Sequence, residues 1–418
     1  MNILILNVHS GLNLGDDAIM QTTIHGLATS YPGADITVAA NDPDSWGHYN
    51  EISVVSSLCT WVADCRMGKW RSRLYLMPVC LVFLFAAAVL YRLFGVKLRL
   101  GNNAKRQLLD AFYGADLVLS CGGGNFYAHH GASPALFWAF ATLAFPLSLG
   151  KKVAMLPQSV GPIEGGFQRF LARAVLRHVR IIMVREPISK LFIRETLRLD
   201  QVKIQELPDL AFGLLNLPSP EMSQPLSSAA SFSLGITIID RAAQNPLFTR
   251  QEIYEDSITA AAKKLLDGQN AASYLFVQCY GPSPDQDDRL LVHRFARRLN
   301  EFSDSVMVLD SFTDSKVVKA YYGHMDCVIA TRMHTAVFAL LNKVPVILIG
   351  YQQKSQGLME TFGLHDYYCD IDEITPDRLI DMVEKALSNR HEIEKQISAQ
   401  LDAIQPRLAD WSEHLLAL

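Results

Sequence analysis

The stretch ATRMHTAVFALLNKVPVILIGY, Ala330 to Tyr351, decides the fold. Cys327 to Ala330 at its head is short, apolar and β-rich, Thr331 to Thr335 is polar, Ala336 to Leu341 is apolar and helix-compatible, and Val344 to Ile349 is a continuous buried-strand run. Strand, polar turn, helix and strand in that order make a βαβ unit of a parallel sheet. Arg332 and His334 then fall at the carboxyl edge of a strand, where open α/β sheets hold their ligands. The turn also opens a helix, whose first N–H groups carry a partial positive charge, and an arginine beside it adds a planar fork suited to carboxylate or phosphate. A small anion is the expected guest. The same spacing also accommodates Arg332 as a surface charge and His334 as an ordinary first-turn residue.

Working outward, 418 residues are too many for one ordinary core, so two domains are expected. Half the residues are hydrophobic and 19% are charged, which places the chain among globular proteins. A formal net charge of −4 and the absence of any Lys/Arg-rich block exclude nucleic acid as a natural partner. The seven cysteines (Cys59, Cys65, Cys80, Cys121, Cys279, Cys327 and Cys369) form no CxxC pair and no Cys/His ligand spacing, so they read as reduced thiols of a cytoplasmic protein. No His/Asp/Glu cluster has metal spacing, and no metal is expected. MNILILNV lacks a basic lead and runs into a Gly-rich turn, which reads as a first strand and not a signal peptide.

After the strand Asn2 to Val8, the turn HSGLNLGDDA starts a helix that runs to about Tyr31. Gly11 and Gly15 would let the backbone approach a ligand, and Asp16 and Asp17 suit the helix start for capping reasons. The spacing matches neither a dinucleotide fingerprint nor a Walker loop. A strand near Asp35 to Ala40 follows. Leu74 to Tyr91 then carries no charge over 18 residues and is flanked by Arg71, Arg73, Arg92, Lys97 and Arg99. Spanning a bilayer would put strands of one sheet on opposite sides of it. The expectation is therefore a segment dipping into one leaflet at the cytoplasmic face, or else a buried core helix.

Asp116 to Ser120 is the next strand, and the glycine run of CGGGNFY either lets a ligand touch the backbone or eases a crowded crossing. Pro134 to Leu149 reads as a buried crossover helix, Lys152 to Leu156 as a strand, Pro157 to Pro162 as a turn, and Gly166 to His178 as a helix. Ile181 to Val184 is a buried strand ending in Arg185, with Pro187 opening the next helix. Asp209 in ELPDLAF either caps or faces a cleft. LPSPEMSQPLSSAAS, residues 217–231, is the linker. Strands at Ser233 to Ile239, Tyr274 to Gln278, Ser305 to Leu309, Cys327 to Ala330 and Val344 to Ile349 alternate with helical patterns. The tail is helical and long enough to return to the first domain. The expected fold class is α/β, with two doubly wound, Rossmann-like domains facing across a cleft: residues 1–216, with the apolar insertion 74–91, and 232–418.

The blocks NLGDDA, CGGGNFY, PQSVGP, VREPIS, PDLAF and TRMHTAVFALLNKVPVILIGY, with the later Lys354, together resemble the polysaccharide pyruvyl transferase family in family order. The resemblance implies a GT-B-like arrangement with the acceptor on the first domain and the donor on the second. It implies transfer of a pyruvyl group from phosphoenolpyruvate to two hydroxyls of a saccharide, free or lipid-linked, as a cyclic ketal, in exopolysaccharide or cell-surface polysaccharide biosynthesis. Phosphoenolpyruvate is then the donor substrate and no cofactor is expected. Catalysis falls to His334 and Arg332, with His334 either transferring a proton or holding phosphate. Substrate contacts fall to Arg185, Lys354, Asn13, Gly15, Asp16, Gly122, Gly123, Gly124, Asn125 and Gln158. His129 and His130 line the acceptor or lie idle on a loop. The competing reading is a GT-B glycosyltransferase using a nucleotide sugar. Many of those carry an acidic ribose clamp on the helix that here reads TAVFALLNKVP, without an acid.

Overall fold

The computed structural model describes residues 1–61, 76–128, 133–218, 220, 226, 230–268, 270–409 and 411–416. His129 and His130, the head of the uncharged run at Leu74 with its flank Arg71 and Arg73, and most of the 217–231 linker lie outside the described residues. The chain divides into two compact units. One comprises Met1–Gly11, Ile19–Leu210 and Arg407–Leu418; the other comprises Leu12–Ala18 and Ala211–Pro406. The main crossing falls between Leu210 and Ala211, ahead of residues 217–231, which lie within the second unit; seven residues of the first βα turn also belong to the second unit, and the end of the tail belongs to the first.

In the first unit the strands are β1 (Asn2–Val8), β2 (Asp35–Ala40), β3 (Ser53–Ser56), β4 (Leu117–Ser120), β5 (Gly123–Ala128), β6 (Lys152–Ile163), β7 (Ile181–Val184) and β8 (Ile204–Glu206). They form one sheet in the order β3-β2-β1-β4-β6-β7-β8, with β5 on β6, and every ladder is parallel. Parallel strands need crossovers, and crossover helices cover the sheet faces, so β4 (LVLS) and β7 (IIMV) are apolar runs buried at every position. Helix Pro134–Ser148 is a core crossover, as its pattern predicts: Trp138, Phe140, Leu143 and Phe145 are buried, and Ser133 caps it by accepting from the Leu136 N–H at 3.3 Å.

One segment departs from the sequence reading, and another falls between its two alternatives. PQSVGP is strand and not turn, because β6 runs on to Ile163 and gains β5 as a second neighbour, with Gly123 opposite Gln158 and Phe126 opposite Val160. Pro157 is tolerated there because it falls inside the β6–β7 register shift between Met155 and Gln158, where a ladder donor is not required. The uncharged run forms helix Leu76–Phe94, which packs Leu84, Ala87 and Ala88 into the first unit's core while Val79, Val82, Phe85 and Leu93 remain exposed. No helix among the described residues is long and apolar enough to cross a membrane.

The second unit holds β9 (Phe232–Ile236), β10 (Ala271–Phe276), β11 (Val306–Leu309), β12 (Cys327–Ala330), β13 (Val346–Gly350) and β14 (Tyr368–Asp370), in the parallel order β11-β10-β9-β12-β13-β14. Both units are thus doubly wound α/β layers of the Rossmann-like kind. In each, the chain first builds outward on one side and then continues on the other. The switch point lies between β1 and β4 in the first unit and between β9 and β12 in the second.

The tail closes the first unit through Trp411, which is 2% exposed. Its indole lies so close to helix Leu14–Ser30 that a Cβ on Gly26 would come within 2.4 Å of Cζ2. Trp411→Ala should therefore cost about 3–5 kcal/mol, the usual range for emptying a large aromatic site. Gly26→Ala should also destabilise by forcing the ring aside. Equilibrium urea unfolding measures both, and a loss below about 1 kcal/mol for Trp411→Ala would mean that the tail is not part of the first unit's core.

Candidate active site

β12 ends at Ala330, Thr331 and Arg332 make the turn, and helix Met333–Leu341 begins with Arg332 as its N-cap at φ −93° and ψ 132°. Thr331 fastens this turn across the switch point. Its N–H donates to Thr237 Oγ1 at 3.1 Å, its hydroxyl donates to the Thr237 carbonyl at 3.1 Å, and the Tyr254 hydroxyl lies 2.8 Å from its Oγ1. Burial pushes the Tyr254 phenol far above its ordinary value, so it stays protonated and serves as a strut.

Arg332 does not present its fork to solvent. Nε donates to Asp288 Oδ2 at 2.7 Å and Nη2 to Asp288 Oδ1 at 2.5 Å, with the arginine side chain 13% exposed and the aspartate 3%. Burial alone would disfavour the guanidinium charge; the adjoining Asp288 carboxylate outweighs it and holds the group protonated. The bidentate face that the sequence reading reserves for an anionic ligand is therefore occupied, and Nη1 is the edge left for one. Asp288 is held in turn, since its Oδ2 accepts the Cys279 N–H at 3.1 Å and its own N–H donates to the Cys279 carbonyl at 2.9 Å. Burial pushes the Cys279 thiol up to about 12, so it is no nucleophile near neutrality.

Residues Leu12–Ala18 complete this unit. Asn13 bridges Cys279 in antiparallel fashion, Tyr280 N–H donates to the Leu12 carbonyl at 2.8 Å, and Leu14 N–H donates to the Gln278 carbonyl at 3.2 Å. Asn13 Oδ1 accepts the Gly15 N–H at 3.0 Å and so shapes the helix start. Asp17 is fully buried and accepts the Ser315 N–H at 2.8 Å, at the start of helix Ser315–Tyr322. Asp16 is half-buried beside it. At Gly15 a Cβ would stand 1.9 Å from His334 Nδ1 and 2.4 Å from its Cγ. The backbone here approaches the imidazole of His334, and only glycine permits it.

The structure thus brings Asn13, Gly15, Arg332 and His334 into one neighbourhood. Lys354 is half-buried in the first turn of helix Gln353–Thr361, after β13. Three further participants are not signalled by the sequence. Asp288 reads as the N-cap of helix Arg289–Arg298. Gln278 is fully buried, with Oε1 accepting from Tyr322 and Thr335. Arg241, after β9, lies over the Tyr351 ring at 4.7 Å.

The remaining expected residues belong to the first unit. Arg185 follows β7 and is 4% exposed; Nη1 pairs with Asp209 and Nε donates to Ser159 Oγ at 2.8 Å. It is an internal staple joining VREPIS, PQSVGP and PDLAF, with Nε and Nη1 already engaged inside the fold, where the sequence reading expects a clamp open to the donor. Of the two roles open to the glycine run, Gly122 takes the crowded crossing: a Cβ would meet the Pro157 carbonyl at 2.7 Å. Gly123 adopts φ +121°, which favours glycine. Gly124 and Asn125 lie on β5, and Asn125 Nδ2 donates to the Asn7 carbonyl at 2.9 Å. Asn7, at φ +59°, donates to Ser120 Oγ at 3.1 Å, so these groups gather at the first unit's switch point. Gln158 is fully buried and donates to the Leu156 carbonyl at 3.1 Å.

Removing Asp288 would strand a buried guanidinium. Asp288→Ala should destabilise the chain by about 3–5 kcal/mol, and adding Arg332→Met should return part of that loss. Denaturant unfolding of the single and double variants checks this; a single-variant cost under about 1 kcal/mol would match a solvent-screened pair.

Comparison with known proteins follows this geometry. The sequence profile described as polysaccharide pyruvyl transferase matches residues 13–353. Amylovoran biosynthesis protein AmsJ of Erwinia amylovora is 25% identical over 415 residues, covering 96% of each chain. Among solved structures, UDP-GlcNAc 2-epimerase from Neisseria meningitidis bound to UDP-GlcNAc aligns with a TM-score of 0.59 at 10% identity over 100% of both chains. Sucrose-phosphate synthase from Thermosynechococcus elongatus aligns with a TM-score of 0.56 at 14% identity over 100% of this chain and 98% of that one. Identities that low speak to the fold alone, which is GT-B-like with two Rossmann-like units. The profile match begins at Asn13 and runs past the Arg332 turn, so it spans both halves of the neighbourhood around His334, and the chain belongs to the polysaccharide pyruvyl transferase family.

Proposed function

We propose that this chain transfers the pyruvyl group of phosphoenolpyruvate to two hydroxyls of a saccharide, as a cyclic ketal, during assembly of an exopolysaccharide or cell-surface polysaccharide. Family membership supports a transferase, and the relative is named for amylovoran biosynthesis. The single observation that carries the chemistry is the Arg332 turn, where a cation and an imidazole stand two residues apart at a helix start on the switch point.

The reaction balances without a cofactor. A proton added to the methylene carbon makes the neighbouring carbon electrophilic, and one saccharide hydroxyl attacks it. Phosphate then leaves, and the second hydroxyl closes the ketal. The two hydroxyls release two protons; one replaces the proton spent on carbon and the other leaves with phosphate. Arg332 Nη1 and the helix N–H groups suit the donor's anionic groups, with Lys354 as a further cation. His334, its ring seated against Gly15, is the side chain of this neighbourhood suited to proton transfer.

Phosphate release from phosphoenolpyruvate with candidate saccharides, and the matching mass gain on the acceptor, test the proposal. Turnover of a nucleotide sugar without any phosphoenolpyruvate-dependent release would favour the glycosyltransferase reading instead. His334→Ala should lower kcat by about 10²–10⁴-fold if the ring moves a proton, and His334→Gln should not restore it. Gly15→Ala should reproduce much of that loss by displacing the ring. The double variant should then be no slower than His334→Ala, since both act through one group. Additive losses would separate Gly15 from His334. Arg332→Lys should act chiefly on KM for phosphoenolpyruvate, because it keeps the charge but loses the planar pairing with Asp288.

A further inference from the structure

Helix Leu76–Phe94 is apolar on every side, but only one side is covered. Leu84, Ala87 and Ala88 face the first unit's core, whereas Val79, Val82, Phe85, Val89 and Leu93 recur three or four residues apart on the opposite side, Phe85 being 73% exposed. Soluble surfaces rarely carry such a stripe without a covering partner. The helix packs against helix Pro134–Ser148, which packs in turn against helix Gly166–Leu176, where Phe167 and Phe170 are also exposed.

At the carboxyl ends of these three helices lies a groove of about 810 Å³. Its charged and titratable lining is Arg92, Lys151, Arg177, His178, Arg180 and Lys203, and among the described residues it contains no Asp or Glu. Helix dipoles favour one cation at each carboxyl end, which accounts for Arg92 and Arg177 singly. They do not account for the rest. Lys151, Arg180 and Lys203 immediately precede β6, β7 and β8, three neighbouring parallel strands, so the topology gathers them along one amino edge of the sheet. Gly150, at φ +80°, leaves the space that the Arg92 guanidinium fills; a Cβ there would lie 2.2 Å from Nη1. Arg92 ends the apolar helix and lines the groove, so it joins the two features. Nearby, Lys97 is exposed while Arg99 is paired with Asp110.

We propose that this face docks on an anionic lipid bilayer, with the Val79–Leu93 stripe entering the headgroup–acyl boundary and the groove receiving a phospholipid phosphate. A bare apolar stripe would fit many partners; the acid-free cationic groove at its end selects a surface that is apolar within and anionic above. None of Asn13, Gly15, Arg332, His334 and Lys354 lines the groove.

Co-sedimentation of the full chain with vesicles tests this without any activity readout. Binding is expected with vesicles of equal parts phosphatidylcholine and phosphatidylglycerol, to weaken as salt is raised, and to be far lower with phosphatidylcholine alone. Each surface cation contributes roughly a fivefold factor in partitioning, so R180Q/K203Q should reduce binding on the order of 10- to 30-fold. V82N/F85N should reduce it roughly 10-fold or more by removing apolar insertion. All four positions are exposed, so thermal unfolding of the variants should match the parent chain. Failure of the parent chain to bind anionic vesicles, salt-insensitive binding, or full retention by either double variant overturns the proposal. Phosphate-ion binding to the groove without vesicle binding does so too, by making the groove a site for a soluble anion.

Discussion

Placing Arg332 at the carboxyl edge of β12 buries a permanent positive charge, and the second unit is organised by what that charge requires. A guanidinium withdrawn from water needs a counter-charge in good geometry, and Asp288 supplies it with two hydrogen bonds from a loop that follows β10. Asp288 must then be positioned, which the Cys279 backbone does from both sides. Cys279 bridges Asn13, so the first βα turn of the chain is drawn into the second unit, where Gly15 lies under the imidazole of His334. The ion pair, the loop exchange and the histidine's seat form one continuous set of contacts. Such a set fixes side chains before a ligand arrives, which is the condition for positioned acid–base chemistry.

The parts of this arrangement that the sequence carries are the local ones. A βαβ reading of Cys327 to Ile349 follows from apolar runs and one polar turn, and it places Arg332 on that turn, while His334 falls in the first turn of the helix, which begins earlier than the polar run suggests. The need for glycine at position 15 is legible too, but its partner is not, since His334 lies more than three hundred positions away. Asp288 is hidden by its own neighbourhood: a carboxylate just before a helix already has a sufficient local explanation as a cap. Arg185 reads as a cation at a strand end, and only the three-dimensional arrangement supplies Asp209 to pair with it. PQSVGP reads as a turn because Gly and Pro usually stop strands, whereas a register shift and the second neighbour β5 let β6 continue through it.

The uncharged run illustrates a different limit. Periodicity separates buried from exposed faces only when the exposed face is polar, and helix Leu76–Phe94 has no polar face to reveal which side is which. Core helix and surface-seeking helix are alternatives in one dimension but not in three, because one cylinder can present Leu84 to a core and Phe85 to solvent.

The two switch points differ in the chemistry they present. In the second unit Arg332, Lys354 and Arg241 lie at the starts of the helices that follow neighbouring strands, Arg332 as an N-cap and the other two in the first turn. In the first unit the corresponding position gathers Asn7, Ser120 and Asn125, neutral groups that both donate and accept, while the nearby charge of Arg185 is neutralised inside the fold. Anions are recognised by cations and helix starts, and sugar hydroxyls by amides and other hydroxyls. On the proposed reaction, this contrast is what a doubly anionic donor and a saccharide acceptor would each require. It also explains why both arginines can be buried and paired without redundancy: Arg332 retains an edge toward its switch point, whereas Arg185 holds together the strands from which the neutral side is built.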